Sequence, residues 1–353
     1  MKVKEFLESF KRFLSATATE RLEDNGRYVF VSDLHMGDGG PRDDLAPNRL
    51  LVESALGKYY LERGFTLVIN GDAEDLNKFR LKVVQSAWKT LYKVFDEYQA
   101  QGRLRKIVGN HDLALLREAE YPYPLIHGLV LERNGKRIFA FHGHQASRFF
   151  VKFDYLAEFI VRYLAKPLRI KNSSIATDNR RRFAAERRIY LAARKLGIVA
   201  ITGHTHRPLF ESLSKYDSLR WSVEDLLREY SLGDTARRVR IAELIGVYRR
   251  ELERMSRKET KRDLSRSIYG ESPLLVPCLF NSGCATGKHG LTALEIEGGA
   301  IALVHWSSAG KSRPYIEREA IHKDSIEDGA FERYVLKSDN LDQVFARIEL
   351  LGA

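Results

Sequence analysis

Five short apolar runs along the chain each end in a group of polar residues. The runs cover residues 28–31, 67–69, 107–108, 138–141 and 198–201. Their length and their content of β-branched and aromatic residues are typical of buried strands. Ligands of open α/β sheets collect at the carboxyl ends of strands, where the chain leaves the core. We therefore expect the Asp, His and Asn residues after these runs to lie along one rim of one sheet.

Amphipathic segments between the runs predict helices. Residues 50–63 and 82–99 have helical spacing, and each is followed by a new strand. This alternation over residues 27–145 predicts a largely parallel sheet covered by helices. Gly298-Gly299 predicts a hairpin turn between two later strands.

The same pattern predicts four segments in the chain. They are an accessory N-terminal helix in 1–26, a core in 27–210, a charged helical insertion or cap in 211–272, and C-terminal strands completing the core plus a terminal helix in 273–353. The insertion is rich in Arg and Glu, and we expect either a cap beside the site or a projecting helical pair.

Composition narrows the partners of the chain. Of 353 residues, 44% are hydrophobic and 30% are charged, which is typical of a globular protein. The net charge of +11 favours anionic partners such as phosphate esters, nucleic acid or an acidic membrane surface. A cytoplasmic location is expected, because no apolar run approaches the ~20 residues of a membrane span. Cys278 and Cys284 match no zinc motif and are expected to be reduced core residues.

Two further segments bear on the substrate. Residues 149–164 form an aromatic helical pattern that either packs in a core or dimer interface, or receives acyl chains at the inner face of a membrane. In the second case Arg162, Lys166 and Arg169 would meet anionic head groups. The basic residues 180–182 and 187–188 either hold a second phosphate or solvate the surface.

The polar groups at the strand ends contain residue types that bind transition metals. Asp33 and His35 lie two residues apart, so on a continuing strand their side chains would point the same way and converge on one point. A carboxylate and an imidazole together suit Zn, Fe or Mn rather than Ca. Asp72 follows Gly71, and its two oxygens can bridge two cations. Asp75 is expected either to orient a histidine or to cap the next helix.

The segment Gly109-Asn110-His111-Asp112 is the most specific of the five. The amide oxygen of Asn110 can bind a metal without adding charge. His111 is then free to act as a general acid, and Asp112 is expected to accept its other ring proton.

Histidines end the last two runs. His142 leaves its strand directly and is the expected metal ligand there, while His144 is a candidate substrate or supporting contact. His204 and His206 offer one imidazole to each of two ions. Arg207 is a further candidate substrate contact. Two ions about 3.5–4 Å apart would activate a bridging water as hydroxide for attack at phosphorus.

The order Asp-x-His, Gly-Asp-x-x-Asp, Gly-Asn-His-Asp, His and Gly-His-x-His resembles the calcineurin-like metallophosphoesterase superfamily. The resemblance implies a four-layer αββα sandwich of two mixed sheets with two divalent transition-metal ions, Mn, Fe or Zn. One implied ligand set is Asp33, His35, Asp72 and His206. The other is Asp72, Asn110, His142 and His204, with His111 as the acid.

Parts of the chain are similar to bacterial UDP-2,3-diacylglucosamine pyrophosphatases, in particular Ser32-Asp33-Leu34-His35 and residues 203–208. The chain departs from them at His111, where arginine is usual, at Ala73-Glu74, and in the length of the insertion. The expected function is hydrolysis of a small phosphate ester or a nucleotide-like pyrophosphate.

Four other functions are weighed against this one, of which phosphoprotein phosphatase activity is singled out by nothing in the sequence. The first is a UDP-diacylglucosamine-type pyrophosphatase with peripheral membrane contact. The second, a nucleic-acid phosphodiesterase, is not favoured, because the arginines lack interleaved aromatic residues. A binding scaffold of this fold should have lost ligands, and none of the five motifs lacks one. The sequence leaves the oligomeric state open.

Overall fold

A computed structural model describes residues 3–146, 179–232, 234–258, 275–286 and 290–352. Two mixed sheets with helices on their outer faces form the chain over these residues, so the predicted α/β architecture is confirmed. The strands, in chain order, are β1 (Thr19–Arg21), β2 (Arg27–Val31), β3 (Thr66–Asn70), β4 (Leu104–Ile107), β5 (Leu125–Ile126), β6 (Gly128–Arg133), β7 (Lys136–Phe141), β8 (Val199–Thr202), β9 (Leu209–Phe210), β10 (Leu213–Ser214), β11 (Leu279–Asn281), β12 (Leu291–Glu297), β13 (Ala300–Ser308), β14 (His322–Ile326) and β15 (Phe331–Asn340).

The helices cover the outer faces of the sheets or lie in the segment predicted to be an insertion. They are α1 (Val3–Ala16), α2 (Arg49–Ser54), α3 (Leu81–Ala87), α4 (Lys89–Ala100), α5 (Asn179–Leu196), α6 (Lys215–Leu232), α7 (Thr235–Lys258), α8 (Pro314–Glu319) and α9 (Leu341–Gly352). A π-helical turn, Ala55–Leu61, continues α2. A break at Trp88 divides the helix predicted over residues 82–99 into α3 and α4.

The predicted strand ends are divided between two sheets. One sheet has the order β14-β15-β13-β12-β2-β3-β4-β5 in the described residues, and the other has the order β1-β6-β7-β8-β11-β9-β10. The pairs β2–β3, β3–β4 and β7–β8 are parallel. The expectation of one rim on one sheet is therefore wrong. The hydrophobic pattern predicts each strand and the polar residues at its end. It does not show to which of the two sheets the strand belongs.

Side chains that alternate along β2 show how the layers pack. Tyr28 and Phe30 belong to the core that also contains β7, β8 and helix α5. Val29 and Val31 belong to a second core, with α2 and α4 on the outer face. Successive side chains of a strand point to opposite faces of its sheet. This sheet is therefore buried on both faces, which holds the ends of β2 and β3 rigidly against the second sheet.

The helical insertion begins later than the sequence pattern predicts. Residues 211–214 contain a turn and strand β10, and helix begins at Lys215 in α6. Gly298-Gly299 joins β12 to β13, as predicted, with Glu297 paired to Ala300. The division of the chain into four segments stays a prediction.

Several sequence-based predictions fall outside the described residues. These include the aromatic segment 149–164 with Arg162, Lys166 and Arg169, and the end of the insertion from 259 to 272. Among the described helices, none has the length and apolar character needed to cross a membrane. A cytoplasmic location stays a prediction.

Candidate metal centre

The backbone at the strand ends adopts an uncommon conformation where the predicted ligands lie. Ten non-glycine residues have positive φ in the described part of the chain. Half of them are predicted metal ligands, namely Asp33, His35, Asp72, His204 and His206, with φ between 52° and 66°. Left-handed backbone is costly outside glycine, and it concentrates at sites where the surrounding structure holds it. The loops are therefore shaped to aim these side chains inward.

The first group joins both sheets. His206 Nε2 lies 3.1 Å from Asp33 Oδ1 and 3.1 Å from His35 Nε2. The third edge of this triangle, from His35 Nε2 to Asp33 Oδ1, is 3.8 Å. These three atoms face one another closely enough to bind one ion.

A second group lies beside the first. Asp72, His142 and His204 also place one ligand atom each within reach of a common ion. His142 Nε2 lies 3.1 Å from Asp72 Oδ2 and 3.3 Å from Asn110 Oδ1. His204 is buried, and its Nε2 has no hydrogen-bond partner among the residues that the structure describes. A buried ring nitrogen without a partner is costly, and a metal ion would satisfy it.

Asp72 lies between the two groups. Its Oδ2 is 3.1 Å from His142 Nε2 in one group and 4.0 Å from His35 Nε2 in the other. The backbone N–H of His111 donates to the other oxygen, Oδ1, at 2.7 Å. This arrangement leaves Oδ2 directed at both groups, as a bridging ligand requires.

Asp33 is held in the same way, across the two sheets. The backbone N–H of His204, from the loop after β8, donates to Asp33 Oδ2 at 2.9 Å, and Oδ1 is left facing the two histidines. His142 Nδ1–H donates to the carbonyl oxygen of Asn70 at 2.9 Å, which directs Nε2 into the site. Partners of this kind fix the orientation of metal-binding side chains.

The donor set fits divalent transition metals. Bond lengths of about 2.0–2.2 Å to nitrogen and oxygen, at angles between right and tetrahedral, separate neighbouring ligand atoms by about 2.8–3.6 Å. Four of the separations described above, three of 3.1 Å and one of 3.3 Å, fall in that interval. The identity and number of ions stay predictions, as do the individual ligand roles.

The electrostatics of the site favour cations. Burial would raise the pKa of Asp33, yet His206, His35 and His142 bring it well below its usual value. Burial would likewise raise the pKa of Asp72, but His142 outweighs burial, and the pKa of Asp72 is lowered. In turn Asp72 overcomes burial and raises the pKa of His142 to about 9, whereas burial and His142 lower the pKa of His204 to about 3. Both carboxylates stay ionised at neutral pH, and binding a metal would displace the proton on His142.

His111 lies at the open side of the site, where its side chain is 20% exposed. Its ring packs edge-on against His35, with ring centroids 4.5 Å apart. Nδ1–H donates to Asp75 Oδ1 at 2.9 Å. Burial lowers the pKa of His111, but the hydrogen bond to Asp75 and the charge of Asp72 produce a net increase. The ring is therefore available as a proton donor near neutral pH.

The predicted role of Asp112 is wrong. Its two oxygens accept the backbone N–H groups of Gly109, at 2.6 Å, and of Ala73, at 3.0 Å. The partner of the His111 ring is Asp75, one of the two roles that the sequence left open for that residue. Asp112 thus holds together the loops that carry Asp72 and His111. Sequence adjacency suggested the wrong carboxylate because the two loops meet only in the fold.

Buried charges behind these loops explain an unusual feature of the sequence. Glu74, in place of an apolar residue, accepts hydrogen bonds from Lys106 at 2.7 Å, Tyr92 at 2.8 Å and Tyr121 at 2.7 Å. Lys106 Nζ also lies 3.8 Å from Asp112 Oδ2. Burial, with Asp72 and Glu74 adding to it and Lys106 opposing it, raises the pKa of Asp112 to about 7. Glu74 and Lys106 therefore lie behind Asp112, the carboxylate that connects the two loops.

The two candidate substrate contacts have different surroundings. His144 is buried beside His142, with ring centroids 5.4 Å apart. Burial and the neighbouring His142 and His204 bring the pKa of His144 well below its usual value, so its ring is neutral. Arg207 is half-buried, pairs with Glu186 and lies over the Phe183 ring at 4.5 Å. Arg207 lines a cavity beside His206.

Sequence analysis missed residues at the end of β11. Asn281 Nδ2 donates to the carbonyl oxygen of Gly203 at 2.7 Å and to Thr205 Oγ1 at 3.1 Å, which secures the loop of His204 and His206. Cys284 lies against His206, and its pKa is lowered by that contact although burial opposes the change. The signal was present, because Leu279-Phe280 is also an apolar run that ends in polar residues.

Replacing Gly109 with alanine is expected to weaken metal binding about tenfold or more. A Cβ atom at Gly109 would lie 2.1 Å from Asp72 Oδ1 and 2.4 Å from the Asp72 backbone nitrogen. Overpacking of this kind costs roughly 1–3 kcal/mol, which corresponds to about one or two factors of ten. Gly246→Ala is the control, since its Cβ would have one ordinary contact at 3.5 Å. Elemental analysis of the folded variants decides, and wild-type metal content in Gly109→Ala would contradict the prediction.

Fold and site together define a two-sheet α/β protein with a candidate metal centre between the ends of its sheets. No protein-family model matches the chain, and no curated protein matches its sequence. Solved structures that resemble it include YfcE, a phosphoesterase from E. coli. That structure is 14% identical over 78% of this chain and 91% of its own, with a TM-score of 0.33.

Two further solved structures have similar sequence identities, coverages and TM-scores. A conserved protein from Streptococcus pneumoniae, described as a predicted phosphoesterase, is 13% identical over 79% of this chain and 87% of its own, with a TM-score of 0.28. A Vps29 single mutant from Entamoeba histolytica is 13% identical over 81% of this chain and 94% of its own, with a TM-score of 0.31. Function is therefore inferred from the side chains of the site.

Proposed function

We propose that this chain is a metallophosphoesterase of the calcineurin-like superfamily. It would hydrolyse a small phosphate ester or a nucleotide-like pyrophosphate with two divalent transition-metal ions. The observation that carries the proposal is the pair of adjoining groups, Asp33-His35-His206 and Asp72-His142-His204, with Asp72 Oδ2 directed at both. One mononuclear site would not need a carboxylate between two sets of histidines.

The residues of the site divide the work of phosphoryl transfer. When bound, two ions would supply an activated water and neutralise charge on the phosphoryl oxygens. Asp33 and Asp72 hold the negative charge that attracts the ions, and the amides of His204 and His111 fix the direction of both carboxylates. His111, kept protonated by Asp75, would donate its Nε2 proton to the departing oxygen.

A substrate panel tests the proposal. Chromogenic phosphate monoesters and diesters and UDP-sugar pyrophosphates are incubated with the protein and with Mn²⁺, Fe²⁺ or Zn²⁺. Turnover of at least one class is expected, together with its loss after chelation and its recovery when the metal is restored. The substrate class that is turned over distinguishes monoesterase, diesterase and pyrophosphatase. Turnover that survives full chelation, or no turnover of any substrate with any metal, would refute the proposal.

A further inference from the structure

A cavity of about 200 Å³ opens beside the metal centre. Its walls come from helix α5, the loop after His206, both helices of the insertion and the residue before α8. The charged and metal-binding residues of its lining that matter here are His206, Arg182, Arg207, Lys215, Arg254 and Arg313. Because His206 belongs to both, the cavity and the metal centre are continuous.

The lining carries an excess of positive charge. Lys215, Arg254 and Arg313 share a single carboxylate, Glu251, with Arg254 Nη2 at 2.6 Å and Arg313 Nη1 at 3.4 Å from its Oε1. Arg207 pairs with Glu186, and Asp217 accepts a hydrogen bond from Ser214 Oγ at 2.6 Å. Five of the lining residues are thus cationic and one, Asp217, is acidic, and around Glu251 three of the cations share one carboxylate.

The pKa of Lys215 reflects this concentration of positive charge. Burial, together with Arg313 and Arg254, lowers its pKa to about 8 even though Glu251 is in contact with it. Crowded, partly buried cations are costly unless an anion compensates them. An anion in the cavity would accept hydrogen bonds from guanidinium groups such as those of Arg254 and Arg313, which are suited to phosphoryl oxygens.

We propose that this cavity binds a second phosphoryl group of the substrate while the first lies at the metal centre. The inference rests on the proposed function and specifies its substrate class, a compound with two phosphoryl groups. Sites for whole ligands commonly have roughly 300–1,000 Å³, so a cavity of about 200 Å³ suits one anionic group rather than an entire substrate. Free inorganic phosphate has the same chemistry and is separated from the substrate by the test.

The proposal gives the insertion a role. Lys215 begins α6, and Arg254 lies near the end of α7, so two cations of the cavity come from the segment that lengthens this chain. Arg313 comes from the residue before α8. The core supplies the metal centre, and the insertion supplies selectivity for a second charge.

The test compares Arg254→Gln and the double variant Arg254→Gln/Arg313→Gln with Arg249→Gln. Arg249 is the matched control, because it lies on the same helix, is 77% exposed and pairs with Glu253 away from the cavity. In Arg254→Gln, Glu251 keeps Lys215 and Arg313 as partners, so the fold is expected to persist. Circular dichroism and thermal melting verify this.

Binding of inorganic phosphate is measured by calorimetry on the full-length protein, with Mn²⁺ and after chelation. The chelated protein isolates the cavity from the metal centre. We expect about tenfold weaker binding in Arg254→Gln, a further loss in the double variant, and wild-type affinity in Arg249→Gln. Equal affinity in wild type and double variant, or no binding by chelated wild type, would overturn the proposal.

Kinetics then separate the two sources of phosphate. With Mn²⁺, Arg254→Gln is expected to raise KM about tenfold for a substrate with two phosphoryl groups, with kcat retained, and to leave KM for its monophosphorylated analogue unchanged. An equal effect on both substrates, or none on either, would overturn the assignment to the substrate. A protein without any turnover would refute the proposed function, while the calorimetry would still decide whether the cavity binds phosphate.

Discussion

Replacing Asp72 with alanine is expected to abolish turnover and metal occupancy together. The variant removes the one oxygen that faces both His142 and His35, and it leaves the His111 amide without its acceptor. A bridging carboxylate contributes to binding both ions, and stabilisation by the ions amounts to several kcal/mol, so we expect a loss of roughly 1,000-fold or more in kcat/KM. Metal content by elemental analysis and the chromogenic assay are measured on the same sample.

Two variants complete this experiment. Asp72→Asn keeps an oxygen for the His111 amide but loses the charge, so it is expected to fold like the wild type and still bind less metal. Asp225→Ala removes an exposed carboxylate of α6 that pairs with Arg228, and it should change neither quantity. Wild-type rates in purified Asp72→Ala protein would show that Asp72 has no bridging role.

Replacing His111 with alanine is expected to lower kcat by roughly 10²–10⁴-fold while the metal content stays at the wild-type value. This is the range that a positioned general acid contributes. The ring lies at the open side of the site, pairs with Asp75 and is not needed to complete either ligand group. A leaving group that needs no protonation, such as a nitrophenolate, should reduce the loss, and the two classes of substrate are compared directly.

A competing role for His111 makes this variant decisive. His111, His35 and Asp75 also lie close enough together to bind an ion. If His111 is a ligand, metal content falls in His111→Ala, and the assignment as an acid is wrong. The control is His322→Ala, because His322 forms an exposed pair with Asp324 at 2.8 Å that resembles the His111–Asp75 pair. It should leave both kcat and metal content unchanged.

Much of the fold and of the candidate site follows from the sequence because both depend on local patterns. The strands β2, β3, β7 and β8 end at the residues where apolar runs give way to Asp and His. Asp33 and His35 are separated by one residue, which predicts convergence on a continuing strand; in the structure β2 ends at Val31, and the two side chains converge from a loop with positive φ. His142 follows β7 directly and His204 is the second residue after β8, so their positions need no knowledge of the rest of the chain.

What the sequence did not reveal depends on contacts between distant segments. Asp75 contacts the ring of His111, whereas Asp112 accepts the backbone N–H of Ala73. Nothing within the tetrapeptide that contains His111 and Asp112 indicates this difference. The sequence also did not reveal that β7 and β8 belong to a second sheet. Their parallel pairing depends on contacts between distant segments and is not visible in the residues of either strand alone. Glu74 occupies a position where an apolar residue was expected, and its buried ion pair with Lys106 explains the acidic side chain.

The amide of His204 that donates to Asp33 connects the ends of two sheets through a single candidate ligand. A small shift of one sheet relative to the other would change the orientation of the Asp33 carboxylate. A larger shift would be needed to expose the hydrophobic core. Inherited substitutions at apolar positions between the sheets, such as Phe30 or Leu294, are therefore expected to show first as lost activity in a protein that still melts cooperatively. For this chain, impaired catalysis would be the earliest sign of a loosened interior.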